Sequence, residues 1–194
     1  MFFPILIFSL LWNGEDPLTH RQAFADEFDH DYFTANQNPE TRHQLRENEA
    51  YHLNKGVLDD FNAKRFDIVI GEVKYILRRF PNHPQALMLL GSAAILKKEP
   101  SLAIPYYQRA ISLYPQYAIT HVQFGAYLID IDQIEIGIAR LNKAIKMDPK
   151  SALAYGRLAE AYYKNGDLEL ARQAAKQAKA LGYKGEILSQ ILGE

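Results

Sequence analysis

Few residues in this chain are of types and spacings that could do chemistry. Asp29-His30-Asp31 sets two carboxylates around an imidazole, a donor set that binds divalent cations when rigid elements hold it. The surrounding stretch "EDPLTHRQAFADEFDHDYFTANQ" mixes acids, histidines and isolated aromatics with no helical or strand period, so nothing there fixes a ligand geometry. It reads as a solvated acidic linker. Asp59 and Asp60 are adjacent, which on a helix points them about 100° apart and makes no acid/base pair. His83 stands in "PNHP", a turn sequence, and His121 falls in a packing position. With no cysteine there is no disulfide, thiolate site or cysteine nucleophile. No nucleophile elbow, glycine-rich phosphate loop or helical pair of metal ligands is present. The residues predict a non-catalytic protein without metal or cofactor.

Composition bounds the partners. The chain is 48% hydrophobic and 23% charged, which suits a packed soluble protein, and its formal net charge of -1 gives no field for tracking nucleic acid. Residues 1–12, "MFFPILIFSLLW", are apolar, then "NGEDP" breaks the run. A membrane-spanning helix needs roughly 20 apolar residues, so this run does not cross alone. Its length fits the apolar part of a secretory signal or a membrane-surface anchor, although no Lys or Arg precedes it and the nearest A-x-A site, Ala23-Phe24-Ala25, lies far downstream. The other reading is a hydrophobic arm packed on its own domain or on a partner.

The elements that would position any site are helices. Residues 13–37 read as a linker, after which Asn38-Pro39-Glu40 combines a capping Asn, a first-turn Pro and an acid at the positive end of the helix dipole. Beyond it the apolar pattern is helical almost to the end. Pro81, Pro115 and Pro149 are each 34 residues apart, after the similar runs "YILRRFP", "AISLYP" and "AIKMDP". "YGRLAEAYYKNGDLELARQAAKQA" aligns at that shift with "HVQFGAYLIDIDQIEIGIARLNKA" and "LMLLGSAAILKKEPSLAIPYYQRA", and more weakly with "LNKGVLDDFNAKRFDIVIGEVKYI". A fixed period of this size is the signature of a stacked helical array.

These units resemble tetratricopeptide repeats, helix-turn-helix motifs of 34 residues. The family pattern falls on Tyr155, Leu158, Ala159, Tyr162, Ala171, Ala175 and Ala178 in the last unit, where Tyr183 replaces the closing proline. The third unit carries His121, Phe124, Gly125, Leu128, Gly137, Leu141, Ala144 and Pro149. The second carries Leu87, Leu90, Gly91, Ala94, Ala103, Tyr107, Ala110 and Pro115. The first is degenerate, with Val57, Val69 and Ile76 where small residues belong. The resemblance implies an all-α right-handed solenoid of about four helix pairs at residues 50–83, 84–117, 118–151 and 152–185, within a unit spanning 38–194. Small residues then mark where paired helices cross. In the turn Asn165-Gly166-Asp167, the glycine takes positive φ and Asp167 caps the next helix. A cap at 186–194 would cover the open end with Leu188 and Ile191.

The first helices of such pairs line a concave face. The resemblance places Leu58, Phe61, Met88, Ser92, Ile95, Val122, Ala126, Ile129, Gly156, Glu160 and Tyr163 there, a largely apolar stripe suited to an amphipathic helix or an extended apolar peptide. Two occupants stay open: a protein or peptide partner, or the N-terminal segment with Phe24, Phe28, Tyr32 and Phe33 folded back into the groove. Family members that dock acidic C-terminal tails use Lys, Asn and Arg at the inner positions. Here Asn54 and Lys55 are followed by Leu58, the second unit offers Met88, Leu89 and Ser92, and Arg157 stands alone, so that clamp is absent. Lys143, Lys146, Lys176 and Lys179 fall on the outer helices as a solvated face.

"FPNHPQAL" closing the degenerate unit and "ALGY" closing the last also resemble uncharacterised proteobacterial repeat proteins that often carry export signals. That implies a periplasmic or membrane-associated location, with the cytoplasm as the alternative. The sequence expectation is a scaffold for a protein partner in an envelope complex. The alternative is a permanent subunit of a membrane complex docked through residues 1–12.

Overall fold

The computed structural model describes residues 29–193, and every regular element among them is helical. Ten α-helices follow one another: α1 Pro39–His52, α2 Lys55–Asn62, α3 Phe66–Arg79, α4 Pro84–Leu96, α5 Ile104–Leu113, α6 Ala118–Asp130, α7 Ile134–Met147, α8 Ala152–Asn165, α9 Leu168–Ala180 and α10 Ile187–Leu192. Short 3-10 turns at Ala35–Gln37 and Pro100–Ala103 precede α1 and α5. The pairs α2/α3, α4/α5, α6/α7 and α8/α9 stack into a right-handed solenoid, and α10 closes it.

The repeat is written into the backbone of the turns inside each pair. Lys64, Lys98, Asp132 and Gly166, spaced 34 apart, all take positive φ, at 60°, 65°, 66° and 85°. Each is followed by the same six-residue closure: the N–H groups of Arg65, Glu99, Gln133 and Asp167 donate to the carbonyls of Asp60, Ala94, Leu128 and Tyr162 at 2.8–2.9 Å. This is the left-handed helix stop that glycine favours, yet only the last of these turns carries glycine. Gly166 behaves as its sequence predicts, whereas Asp167 does not. Its side chain makes no capping bond and accepts from Asn165 Nδ2 at 2.7 Å instead.

Small residues sit where paired helices meet. A methyl group at Gly137 would lie 2.8 Å from the Gly125 carbonyl oxygen, so α6 and α7 touch backbone to backbone. In the last pair Ala159, Ala171, Ala175 and Ala178 are fully buried. Close approach excludes water there without large side chains, and Tyr155, Leu158 and Tyr162 fill the space beside the crossing. In the second pair Tyr107 stacks on Phe124 of the next (ring centroids 5.2 Å, 11°), and its hydroxyl donates to the Leu87 carbonyl at 3.1 Å. Val57, Val69 and Ile76 of the first pair are buried despite their size. α2 is only 8 residues long, because Asn54 interrupts the chain after α1, capping Gly56 N at 2.8 Å and donating to the Tyr51 carbonyl at 2.8 Å. At the other end Leu188 and Ile191 of α10 are buried against the last pair, as the sequence predicts.

The N-terminal side holds the main departure. Asn38 caps α1 as expected, accepting from Glu40 N at 2.8 Å. The residues before it are not a solvated linker where the structure describes them. Residues 29–34 form a strap across the loops that join successive pairs, where Arg109 pairs with Asp29, and Asn82 and Tyr117 bond Asp31. The apolar run 1–12, the rest of the expected linker, and Phe24 and Phe28 lie outside the described residues.

Candidate partner-binding groove

The first helices α2, α4, α6 and α8 carry the expected stripe, and the structure divides it into an open half and a closed half. Leu58 on α2 is 43% exposed and Met88 on α4 is 53% exposed. Ser92 and Ile95 are half-buried, and Ile95 leans on the core of the first two pairs. Phe61 is half-buried with its ring edge-on to Phe66 at 5.7 Å. Leu96, which the periodic reading missed, is 54% exposed. With Phe61, Asn62, Lys64 and Phe66 it lines a hollow of about 320 Å³ at the rim of this half. Leu96 could have been found from the sequence, since it lies four residues after Ser92 and eight after Met88 on the same helix.

The other half is occupied by the protein itself. Val122 and Ile129, expected to face the groove, are 1% and 3% exposed and belong to the core of the last two pairs. The bare Gly137 accounts for Ile129, whose Cγ1 lies where a side chain on that glycine would be. Ala126 is half-buried. Gly156 is covered by the Tyr183 ring, so close that an added methyl would fall 2.4 Å from it. Glu160 is half-buried and ion-paired with Arg157 at 2.7 Å, and the Tyr163 hydroxyl accepts from Gln190 Nε2 of α10 at 2.9 Å. The C-terminal segment 183–190 thus closes the end of the stripe. The Tyr32–Phe33 segment, expected as a filler, docks on the inter-pair loops instead.

Charge follows the same division. At the rim of the open half Lys97 bridges Asp67 and Glu99 at 2.7 and 3.0 Å. Asp60 accepts from Arg65 Nε at 2.7 Å and is no partner for Asp59 in acid/base work. In the closed half, burial pushes the Asp130 carboxyl up against the opposing pull of Arg157 and Lys164. No group of three or more histidine or carboxylate side chains converges on a metal geometry among the described residues. No described helix is long and apolar enough to cross a membrane. The arrangement offers apolar contact area on a rigid helical frame.

A family model for the tetratricopeptide repeat matches residues 62–118 and 124–184, more than half of the chain. Among solved structures, the fold is similar to MamA from residue 41 to the end, from Desulfovibrio magneticus RS-1, at 21% identity over 77% of this chain and 81% of that one, with a TM-score of 0.56. It is also similar to TTC0263, a thermophilic TPR protein in Thermus thermophilus, at 18% identity over 70% and 77% of the two chains, with a TM-score of 0.57. The Sgt2 TPR domain from Aspergillus fumigatus is 26% identical over 57% of this chain and 74% of its own, with a TM-score of 0.50. No curated protein matches. The matched segments lie over the recurring turns and close helix crossings described above, and the chain belongs to the tetratricopeptide-repeat family.

Proposed function

We propose that the protein is a non-catalytic scaffold that holds a segment of a partner protein in its concave groove. The observation that carries this is the exposed apolar surface on the first helices of the first two pairs: Leu58, Met88 and Leu96 are each more than two-fifths exposed, and Leu96 borders the hollow with Phe61 and Phe66. Exposed apolar surface gathered in one place is costly in water and marks a contact site. An amphipathic helix or extended apolar segment would cover it, with Ser92, Ile95 and Ala126 beneath and the Glu160 and Tyr163 end shut by the cap.

The partner we infer is a component of a larger assembly at the cell envelope. The apolar sequence of residues 1–12 supports that place, since it has the length of an export or surface-anchoring segment.

The groove is tested by Leu58→Glu with Met88→Glu. Both side chains are exposed, so helicity and thermal transition should stay as in the wild type. A tagged wild-type protein should retain a stoichiometric partner that the double variant loses. Equal retention by both proteins would sink the groove reading.

A further inference from the structure

The strap at residues 29–34 is held by a set of side chains that reads as a peptide-recognition site of its own. It lies on the solenoid edge formed by the loops between pairs, across the first and second pairs. Arg109, whose side chain is only 10% exposed, ion-pairs with Asp29 while donating to the Leu77 carbonyl at 2.8 Å. Asn82, fully buried, accepts from Tyr32 N at 2.9 Å and donates to Asp31 Oδ1 at 2.7 Å. Tyr117 donates to the second Asp31 oxygen, and Tyr114 donates to the Asp29 carbonyl at 2.7 Å. The Arg79 carbonyl accepts from His30 N at 2.8 Å. Three ring contacts finish the docking: His30 against Phe80 at 5.5 Å, Tyr32 against His83 at 4.5 Å and Phe33 against Tyr117 at 4.2 Å.

Two properties of this contact bear on function. Three of the bonds address the strap's backbone, at His30 N, Tyr32 N and the Asp29 carbonyl, so any extended segment can make them. The side-chain bonds ask only for two acidic residues one apart, followed by aromatics. None of residues 29–34 is fully buried, so the segment is held by polar bonds and ring contacts rather than locked in the core. The receiving groups sit deeper: Asn82 is fully buried beneath the strap, Arg109 is nearly so, and both side-chain bonds of the Asn82 carboxamide go to the strap.

We propose that this edge is a second recognition site, for an extended acidic–aromatic segment of a partner protein, and that the chain's own Asp29–Phe33 fills it in cis. A partner segment carrying Asp-x-Asp followed by two aromatics exchanges with the strap and satisfies the same donors. The site is separate from the concave groove and does not depend on it.

The test uses full-length protein and a fluorescein-labelled peptide of residues 28–36, FDHDYFTAN, read by fluorescence anisotropy. In wild type the strap competes at high local concentration and binding should be weak. In Asp29→Ala/Asp31→Ala the strap loses its carboxylate bonds, and the peptide should bind at least tenfold more tightly. Adding Arg109→Ala to that variant should abolish the gain, as should a peptide with both aspartates replaced by alanine. Adding Leu58→Glu and Met88→Glu should leave the gain intact, which separates this site from the groove. If the double variant loses helical signal, Asp31→Ala alone takes its place, because it keeps the Asp29–Arg109 pair. No gain in a folded strap variant, or a gain indifferent to Arg109, overturns the proposal.

Discussion

His83 Nδ1 accepts from Ala86 N at 3.2 Å while its Nε2 lies 3.2 Å from Glu49 Oε1, so one buried imidazole caps α4 and ties it to α1. Only the neutral ring protonated on Nε2 can do both. Burial lowers its pKa, with the Glu49 carboxylate pulling the other way. His121 is also fully buried with a lowered pKa. Its Nε2 lies 3.2 Å from the Pro115 carbonyl, and its Nδ1 has no partner among the described residues.

These two imidazoles set an acid limit on stability. Below about 6.5 the unfolded chain takes up protons that the folded chain resists, so stability falls as pH drops from that value toward the lowered folded-state values. Each proton bound only by the unfolded chain weighs about 1.4 kcal/mol per pH unit. Thermal melts from pH 7.5 to 5 should show a falling midpoint. His83→Asn keeps a capping side chain and removes the titration, so its melts should depend less on pH over that interval. A midpoint flat from pH 7.5 to 5 in the wild type would contradict the assignment.

Gly137 and Gly71 should respond to alanine with opposite signs. At Gly137 the added methyl meets the Gly125 carbonyl at 2.8 Å and Ile129 Cγ1 at 2.6 Å, so the α6/α7 crossing must open, at about 1–3 kcal/mol. At Gly71, inside α3, an added methyl meets nothing within 4 Å. Gly71→Ala should stabilise by about 0.5–1 kcal/mol through helix propensity alone. Urea unfolding of the two variants side by side is the measurement, and equal signs would mean the crossing is not the constraint.

The period, the helix pairs and the crossing residues could be read from the sequence because each repeat states them again. Pro81, Pro115 and Pro149 mark the period, and Ala159 and Ala171 the crossing. What stayed hidden was carried by single long-range events. The strap depends on Asp29, Asp31, Asn82 and Arg109 finding one another across 50 to 80 residues, a relation no local period encodes. The closure of the groove depends on Tyr183, which stands where the repeat pattern expects proline. That substitution was visible in the sequence, but not the direction in which the ring would turn. Val122 and Ile129 occupy groove positions by register, and their burial follows from the bare glycine opposite and the core around them.

Lys98 should gain from the residue its turn prefers. It holds φ at 65°, while Gly166 meets the same turn geometry without a side chain. A left-handed residue other than glycine costs about 1–2 kcal/mol, partly offset by the greater freedom of an unfolded glycine. Lys98→Gly should therefore stabilise by up to about 1 kcal/mol, and Gly166→Ala should destabilise by a similar amount, both read as shifts in the denaturant midpoint. Destabilisation by Lys98→Gly would show that the lysine side chain contributes more than its backbone strain costs.

The Tyr183 ring and Gly156 form a lock that a double-mutant cycle can measure. Any side chain at position 156 would enter the ring, which an added methyl meets at 2.4 Å, so Gly156→Ala alone should destabilise by about 1–3 kcal/mol. Tyr183→Ala alone uncovers the end of α8 and should also destabilise, since the tyrosine packs on the core of the last two pairs. Combined, the alanine at 156 has room and adds helix propensity, so the double variant should be no less stable than Tyr183→Ala. The cycle then gives a coupling of at least about 1 kcal/mol. Simple additivity would mean that the ring is not seated on α8, and that the C-terminal half of the groove is as open to a partner as the half at Leu58 and Met88.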